Sequence, residues 1–290
     1  EGAGDCVPFT VQGPISGGRV EIECPTSQYL SSLLLAAPLA SRGMEIVVPL
    51  LNERPYVELT LDWLRGQEIP FERDGWDRFT VPGGHSYRSF DRRVPADFSS
   101  ATFMLVAAAM GEAEVAVDGP DMSDSQGDKD VVSILERLGA TVRVDGQSIT
   151  IRGPRSDEPA LAGGEIDLNA MPDALPALAV LGTRCGAPLR LVNVPQAREK
   201  ETDRIAEMAK LIRALGGQAD ELSDGLVIHP APLSGGTVDS AGDHRIAMAL
   251  AVAGLTATGP VTITNAGVAD ITFPGYFERL RALGATIHEE

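Results

Sequence analysis

The sequence has 290 residues, enough for two domains with cores of their own, and 43% of them are hydrophobic, as in ordinary globular proteins. Its formal net charge of −17 argues against a nucleic-acid-binding protein, because such a protein needs a basic surface. The longest apolar stretch, near residues 29–40, is too short to cross a bilayer.

The cysteines form no metal-binding or disulfide pattern. Cys6, Cys24 and Cys185 are few, odd in number and far apart, so we expect no metal site and a reducing compartment, the cytoplasm. No signal peptide is visible. Because the sequence begins at Glu1 and not at Met, we expect a processed or truncated piece of a longer protein.

Four segments predict helices that are apolar almost all round and begin with a capping residue. Helices without a polar face are usually buried, so we expect all four inside the fold. In chain order they are TSQYLSSLLLAAPLA from Thr26, DFSSATFMLVAAAMG from Asp97, DALPALAVLG from Asp173 and DHRIAMALAVAGL from Asp243.

An amphipathic helix that usually ends in Leu-Gly follows each apolar one. We expect each terminal glycine in a left-handed conformation just after the helix, and then a short strand, as in ATVRV (140–144) and ATIHE (285–289). The repeat of about 70 residues predicts an α/β fold with four copies of one unit. The terminal glycines are Gly66, Gly139, Gly216 and Gly284.

Buried helices that lie side by side would direct their positive amino ends to one place, which predicts an anion site. Asp243, His244 and Arg245 stand at the start of the last apolar helix, where a cation is normally repelled. A bound anion would remove this repulsion, and arginine suits a carboxylate or phosphate. The alternative is that Asp243 only caps the helix while His244 and Arg245 extend into water.

A second cluster, Lys200, Glu201 and Arg204, precedes or opens an amphipathic helix. If the helix has begun by then, the three side chains share a face. Lys200 is one of only three lysines, and Glu201 between two cations could carry a proton. The alternative interpretation is a solvated cluster of charges.

Two other helix starts are ambiguous. Asp173 could be a general base for a hydroxyl or only a cap. The segment TSQ at 26–28 could hold phosphate oxygens beside backbone N–H groups, although serine and threonine are also ordinary caps. Asp97 and Ser99 have no cation nearby, so we interpret them as structural.

Six segments occur in the order and at the spacing of one known family. They are TSQYLSSLLLAAPLA, RPYVELTLDWL, MPDALPALA, KETDRIAEM, DHRIAMAL and TFPGYFERLRALGA. From about Val11 to the C-terminus the chain resembles the 5-enolpyruvylshikimate-3-phosphate (EPSP) synthases. The resemblance implies the enolpyruvyl transferase fold, an inverse α/β prism of six βαβαββ units in two domains.

Four of those six units are expected here. Residues 1–92 would be one unit of an incomplete upper domain, and residues 93–290 would be a lower domain of three units. The family transfers the enolpyruvyl group of phosphoenolpyruvate to the 5-hydroxyl of shikimate 3-phosphate, in an interdomain cleft and without metal or cofactor. Since the family's first units are missing, the resemblance implies that the chain alone is crippled or needs a separate N-terminal polypeptide.

The resemblance also implies roles for individual residues. Asp173 would take the proton of the 5-hydroxyl, and Glu201 would move protons at the methylene carbon. The expected contacts to phosphoenolpyruvate are Gln28, Arg204, His244 and Arg245. Those expected for shikimate 3-phosphate are Thr26, Ser27, Gln28, Tyr56, Asp173, Gln196 and Lys200.

Three positions depart from the family's pattern. Gln196 stands where the family usually has asparagine, and Ile271 where many members have a lysine near phosphoenolpyruvate. Glu53 stands where a serine often meets the phosphate of the acceptor. A carboxylate there would repel that phosphate, so either Arg54 takes the place of the serine or the match to the family is shifted by one residue here.

Two other functions stay open from the sequence. UDP-N-acetylglucosamine enolpyruvyl transferase belongs to the same superfamily, but KETDR and DHRIAMA argue against it. A non-catalytic remnant that binds an anion or serves as an interaction module would show no turnover even with the missing units supplied.

Overall fold

The computed structural model of the chain describes residues 10–289, so residues 1–9, with Cys6, and residue 290 lie outside the described part. By its internal contacts the chain divides into two compact units, Glu1–Arg92 and Arg93–Glu290. No helix between residues 10 and 289 is both long and apolar enough to cross a membrane.

The first unit contains one complete βαβαββ copy. Strands β1 and β2 are parallel, which requires the crossover helix α1, and the antiparallel β3–β4 hairpin follows α2. The sheet order is β1-β2-β4-β3. The elements are β1 (Gly18–Glu21), α1 (Ser27–Ala36), β2 (Met44–Val47), α2 (Arg54–Gly66), β3 (Glu72–Asp74) and β4 (Arg78–Val81).

Helix α1 is only partly buried, so the prediction that every apolar helix lies inside the fold is wrong for this one. Leu30 and Leu34 are fully buried, whereas Tyr29 is 47% and Leu35 43% exposed. Within the first unit, α1 packs against α2 and one face of a single sheet. Between residues 10 and 92, no second helical layer covers its other face.

The second unit contains three copies around a common core. Within residues 93–289, only the middle copy has all six elements, in a sheet of order β10-β11-β9-β8. The first copy contributes α3 (Phe98–Ala109), β5 (Val115–Asp118), α4 (Asp130–Arg137), β6 (Thr141–Asp145) and β7 (Ser148–Arg152). The middle copy consists of β8 (Gly164–Asp167), α5 (Leu175–Gly182), β9 (Leu189–Val192), α6 (Arg204–Ala214), β10 (Gln218–Leu222) and β11 (Gly225–His229). The last copy consists of β12 (Gly236–Asp239), α7 (His244–Thr256), β13 (Val261–Thr264) and α8 (Tyr276–Ala282).

Each outer copy of the second unit lacks a strand that the sequence pattern or the family resemblance predicts. Residues 93–97 form no strand before α3, and the strand predicted at 285–289 is absent from this described segment. A strand needs a neighbour for its backbone hydrogen bonds. Instead, Arg281 holds the terminal segment by donating to the Ile287 carbonyl and pairing with Glu289.

Three of the four predicted left-handed glycines are confirmed. Gly139, Gly216 and Gly284 have positive φ angles directly after α4, α6 and α8. Gly66 is still helical, and Glu68, with φ 56°, takes the left-handed conformation instead. The left-handed residue after α2 therefore lies two positions later than the Leu-Arg-Gly ending predicts.

Helices α3, α5 and α7 pack against one another in the core of the second unit. Every residue of α5 is buried, and so are the first ten residues of α7. Beyond Arg245, α7 carries only apolar side chains as far as Leu255. The polar groups of these helices are therefore concentrated at their amino ends, where the candidate site lies.

Two helix glycines should respond oppositely to alanine substitution. A Cβ at Gly182 would lie 2.8 Å from the Cβ of Ile228 on β11, so G182A should cost about 1–3 kcal/mol of unfolding free energy through overpacking. At Gly254 the nearest atom is 3.5 Å away, so G254A should add about 0.5–1 kcal/mol, the usual helix gain. Urea denaturation of both variants measures the two changes in unfolding free energy. Equal changes would contradict the close packing of α5 on β11.

Candidate functional site

The amino ends of α3, α5 and α7 meet at Arg245, the second residue of α7. Its Nη2 donates to Ser99 Oγ, in the first turn of α3, at 3.1 Å. The same nitrogen lies 2.9 Å from Oδ2 of Asp173, in the short 3-10 turn that leads into α5. The convergence that the sequence predicted is thus confirmed for these three helices.

Arg204, the first residue of α6, adds a fourth helix start to this cluster. Its guanidinium is 1% exposed and each of its three nitrogens meets a carboxylate. Nε lies 2.7 Å from Asp243 Oδ2, Nη1 2.7 Å from Asp173 Oδ1, and Nη2 2.5 Å from Glu201 Oε2. Asp173 therefore bridges Arg204 and Arg245, the two arginines that sequence analysis assigned to one ligand.

Asp243 explains how two basic residues can open helix α7. As the N-cap, it accepts from the backbone N–H of Arg245 at 2.8 Å, while its other oxygen pairs with Arg204. His244 and Arg245 are only 4% and 7% exposed. The alternative in which they extend into water is therefore wrong.

The sequence did not reveal every member of the cluster. The sequence favours a structural role for Ser99 and a capping role for Asp243, yet both contact the arginines. Asp243 is 39 residues from Arg204, and Ser99 is 146 residues from Arg245. The one available signal was that each residue lies at the start of a predicted apolar helix.

Asp173 is held ionised by its surroundings. Burial acts to raise the pKa of this carboxyl, but the positive charges of Arg245, Arg204 and Lys200 outweigh burial, and the net pKa lies below its usual value. A carboxylate stabilised in this way is a weak base while the arginines hold it.

His244 is held in its neutral form. Burial lowers the pKa of this imidazole, and the positive charge of Arg245 lowers it further. Asp243 and Glu201 act in the opposite direction, with Glu201 Oε1 3.8 Å from Nδ1, but do not cancel the effect. The side chain can therefore act as a hydrogen-bond partner without adding a charge near neutral pH.

The lowered pKa of His244 predicts that acid destabilises the second unit. In the unfolded chain the imidazole takes up a proton near pH 6.5, whereas the folded protein resists that proton to a lower pH. The unfolded state thus binds more protons in this window, and the unfolding free energy decreases as pH falls below about 6.5. Urea titrations between pH 7 and 5.5 should show that the unfolding free energy of H244N decreases less steeply with falling pH than that of the wild type. The same pH dependence in both proteins would contradict the lowered pKa of His244.

Three buried polar atoms among residues 10–289 have no hydrogen-bond partner and belong to residues of the predicted ligand set. They are Arg245 Nη1, Gln196 Oε1 and Thr26 Oγ1. Gln196 uses its amide nitrogen on the Asn169 carbonyl at 3.1 Å, which leaves the oxygen available. Because buried polar groups are nearly always paired, these atoms mark places where a ligand could supply the partner.

The predicted site residues of the first unit lie at the start of α1 and in α2. Thr26 and Ser27 are buried, Gln28 is exposed, and Tyr56 is half-buried in the first turn of α2. Ser27 donates to the Glu53 carboxylate from both its backbone N–H and its hydroxyl.

The other residues singled out from the sequence lie in the second unit. Lys200 is half-buried and acts on Asp173 through its charge. Glu201 is 45% exposed despite its bond to Arg204. Ile271, at the end of the 3-10 helix Ala266–Ile271, is 70% exposed.

Comparison with known proteins agrees with this arrangement. The sequence model of the family described as EPSP synthase (3-phosphoshikimate 1-carboxyvinyltransferase) matches residues 1–280. The chain belongs to the EPSP synthase family. The resemblance described from the sequence motifs is therefore confirmed.

Two relatives carry the name 3-phosphoshikimate 1-carboxyvinyltransferase. The chain is 47% identical to the protein of Acetivibrio thermocellus over 280 residues, which cover 97% of the chain and 65% of that protein. It is 44% identical to the protein of Ruminiclostridium cellulolyticum over 283 residues, which cover 98% of the chain and 66% of that protein. The chain thus spans about two thirds of the length of these EPSP synthase relatives.

Solved structures confirm the enolpyruvyl transferase fold. An EPSP synthase from Acinetobacter baumannii superposes with a TM-score of 0.75 at 27% identity, covering 94% of this chain and 64% of that one. The enolpyruvyl transferase NikO from Streptomyces tendae superposes with a TM-score of 0.73 at 20% identity, covering 94% and 65%. At 20% identity, NikO supports the shared fold alone.

Proposed function

We propose that this chain provides most of an enolpyruvyl transferase that joins phosphoenolpyruvate to the 5-hydroxyl of shikimate 3-phosphate and releases phosphate. Residues 1–92 are one unit of its upper domain, and residues 93–290 are three units of its lower domain. The names of the relatives support the reaction. The observation that carries the proposal is the cluster of two buried arginines and three carboxylates at four helix starts.

Phosphoenolpyruvate binds beside Arg204 and Arg245 of this cluster. Arg245 Nη1 is a buried donor without a partner, which a carboxylate or phosphate oxygen of the ligand satisfies. Arg204 lies beside it through the shared Asp173, and neutral His244 adds a polar contact. Gln28 is the remaining proposed contact to phosphoenolpyruvate.

Two sets of polar groups are the proposed contacts of shikimate 3-phosphate. Gln196 offers its unpartnered buried oxygen to a ring hydroxyl, and Lys200 adds a positive charge near Asp173. In the first unit, Thr26 and Ser27 stand at the start of α1, where backbone N–H groups favour an anion, and Gln28 and Tyr56 are the further contacts.

Asp173 and Glu201 carry the protons of the reaction. In the first step, Asp173 takes the proton of the 5-hydroxyl as the hydroxyl oxygen bonds to the central carbon of phosphoenolpyruvate, and Glu201, which enters this step protonated, gives its proton to the methylene carbon. In the second step the C–O bond to phosphate breaks, Glu201 takes a proton back from the new methyl group, and the proton held by Asp173 passes to the departing phosphate. Both side chains thus return to their starting states, and the hydroxyl proton leaves on phosphate.

Binding of the substrate anion also activates the two carboxylates. In the free protein, Arg204 and Arg245 neutralise Asp173, and Arg204 neutralises Glu201. When the ligand's negative charges engage the same guanidinium groups, each carboxylate loses part of this stabilisation. The pKa of Asp173 then rises from its lowered value toward the range that suits a general base.

We propose that turnover requires the rest of the family fold, on the same or a separate polypeptide, because the relatives extend beyond the matched two thirds. The test combines the purified chain with the remaining third of the Acetivibrio thermocellus relative. Phosphate release from phosphoenolpyruvate should depend on both polypeptides and on shikimate 3-phosphate.

The same assay separates the alternatives. Turnover with UDP-N-acetylglucosamine in place of shikimate 3-phosphate would contradict the proposed acceptor. Absence of turnover with either acceptor, from a mixture shown to form a complex, would favour a non-catalytic anion-binding protein.

The cytoplasm is the proposed location. Cys24 and Cys185 are both buried free thiols, and burial raises the pKa of each, to about 11 for Cys185. Thiols in this state are protonated and unreactive, as expected of structural cysteines in a reducing compartment.

A further inference from the structure

The amino end of α1 is capped by Glu53, the residue that directly precedes α2. Thr26 is the N-cap, but its side chain makes no capping bond and its buried hydroxyl has no partner. Instead, Oε2 of Glu53 accepts from the backbone N–H of Ser27 at 3.0 Å and from its hydroxyl at 2.8 Å. Glu53 is 26 residues further along the chain.

Other buried helices obtain a carboxylate cap locally. Asp97 accepts from Ser99 and Ser100 at the start of α3, and Asp243 accepts from Arg245 at the start of α7. Each of these aspartates directly precedes its helix, where capping is the ordinary role of the residue type. If capping were the only requirement at α1, an aspartate at position 26 would therefore be sufficient.

Glu53 occupies an unfavourable environment in order to reach Ser27. Its backbone has φ 58°, in the left-handed region that a non-glycine residue rarely adopts, and its side chain is 2% exposed. Left-handed backbone and burial of a carboxylate both cost free energy. Such strain is more typical of a functional position than of a replaceable cap.

The groups around this carboxylate are a suitable donor set for a phosphate. They comprise the first N–H of a ten-residue helix, the Ser27 hydroxyl and the buried, unpartnered Thr26 hydroxyl. Glu53 already accepts two of these donors. A phosphate oxygen cannot accept the same N–H while the carboxylate holds it, and the two negative charges repel each other.

We propose that Glu53 is an internal anion that competes with a phosphate group for the start of α1. It lowers the affinity of Thr26 and Ser27 for phosphate and must leave Ser27 before the phosphate can bind. That this phosphate belongs to shikimate 3-phosphate rests on the proposed function, but the competition itself does not.

The experiment follows the backbone amide of Ser27 by ¹⁵N NMR while inorganic phosphate is added to the full chain. E53S removes the competing charge and should bind phosphate at least tenfold more tightly than the wild type. E53Q keeps the size and one acceptor oxygen without the charge, so its affinity should lie between the two. D97N, which changes the cap of α3 in the other unit, is the matched control and should leave the Ser27 titration unchanged.

Phosphate affinity at Ser27 that is equal to or weaker than that of the wild type in folded E53S or E53Q would overturn the proposal. So would an equal increase in phosphate affinity in D97N. If E53S does not fold, the near-isosteric E53Q variant decides. The readout needs no turnover, so loss of the proposed transferase activity would leave it standing. Conversely, full activity with equal phosphate affinities would refute only the role of Glu53.

Discussion

Replacing Arg204 by methionine should lower the unfolding free energy of the second unit by about 3–5 kcal/mol. Three carboxylates contact this one guanidinium, and Asp173 and Asp243 are 16% and 0% exposed. Methionine fills much of the volume but leaves these charges close together and without their shared partner. Urea denaturation, monitored by far-UV circular dichroism, measures this loss of unfolding free energy.

A surface arginine provides the control for this substitution. Arg190 pairs with Glu165 at 3.1 Å, but both side chains are about half exposed or more, so R190Q should leave the unfolding midpoint almost unchanged. A loss below about 1 kcal/mol in R204M would contradict the argument. It would mean that the carboxylates rehydrate readily and that Arg204 does not hold the four helix starts together.

Replacing Asp173 by asparagine should reduce the turnover number of the complemented enzyme by roughly 10²–10⁴-fold, the usual contribution of a general base. Asparagine keeps the shape and can still accept from Arg204 or Arg245, so the fold should survive. It also removes a negative charge from both arginines. The KM for phosphoenolpyruvate should therefore stay constant or decrease.

A lower turnover number without a higher KM for phosphoenolpyruvate distinguishes a general base from a structural residue. D121N is the control for activity, because Asp121 accepts from Ser123 and Gln147, neither of which belongs to the arginine cluster, and it should retain activity. Turnover of D173N above a tenth of the wild-type value, or a large rise in the KM for phosphoenolpyruvate with turnover unchanged, would contradict the assignment of Asp173 as the base.

Much of this architecture depends on local patterns that the sequence displays directly. Hydrophobic periodicity, capping residues and Leu-Gly endings predict the repeated helices, because each reflects interactions within a few residues. The errors occur where a distant neighbour decides. The exposed face of α1 depends on which layers cover it, and segment 285–289 forms no strand because pairing requires another strand.

The sequence by itself determined the repeat, the apolar helices and the placement of basic residues at two helix starts. Only the tertiary structure decided which charges meet: Arg204 with Asp243, Arg245 with Ser99, and Glu53 with Ser27. These partners are 26 to 146 residues apart, and no local spacing encodes them. They come together because the packing of the helices within each unit brings the partners into contact, and burial then requires each charge to find a partner.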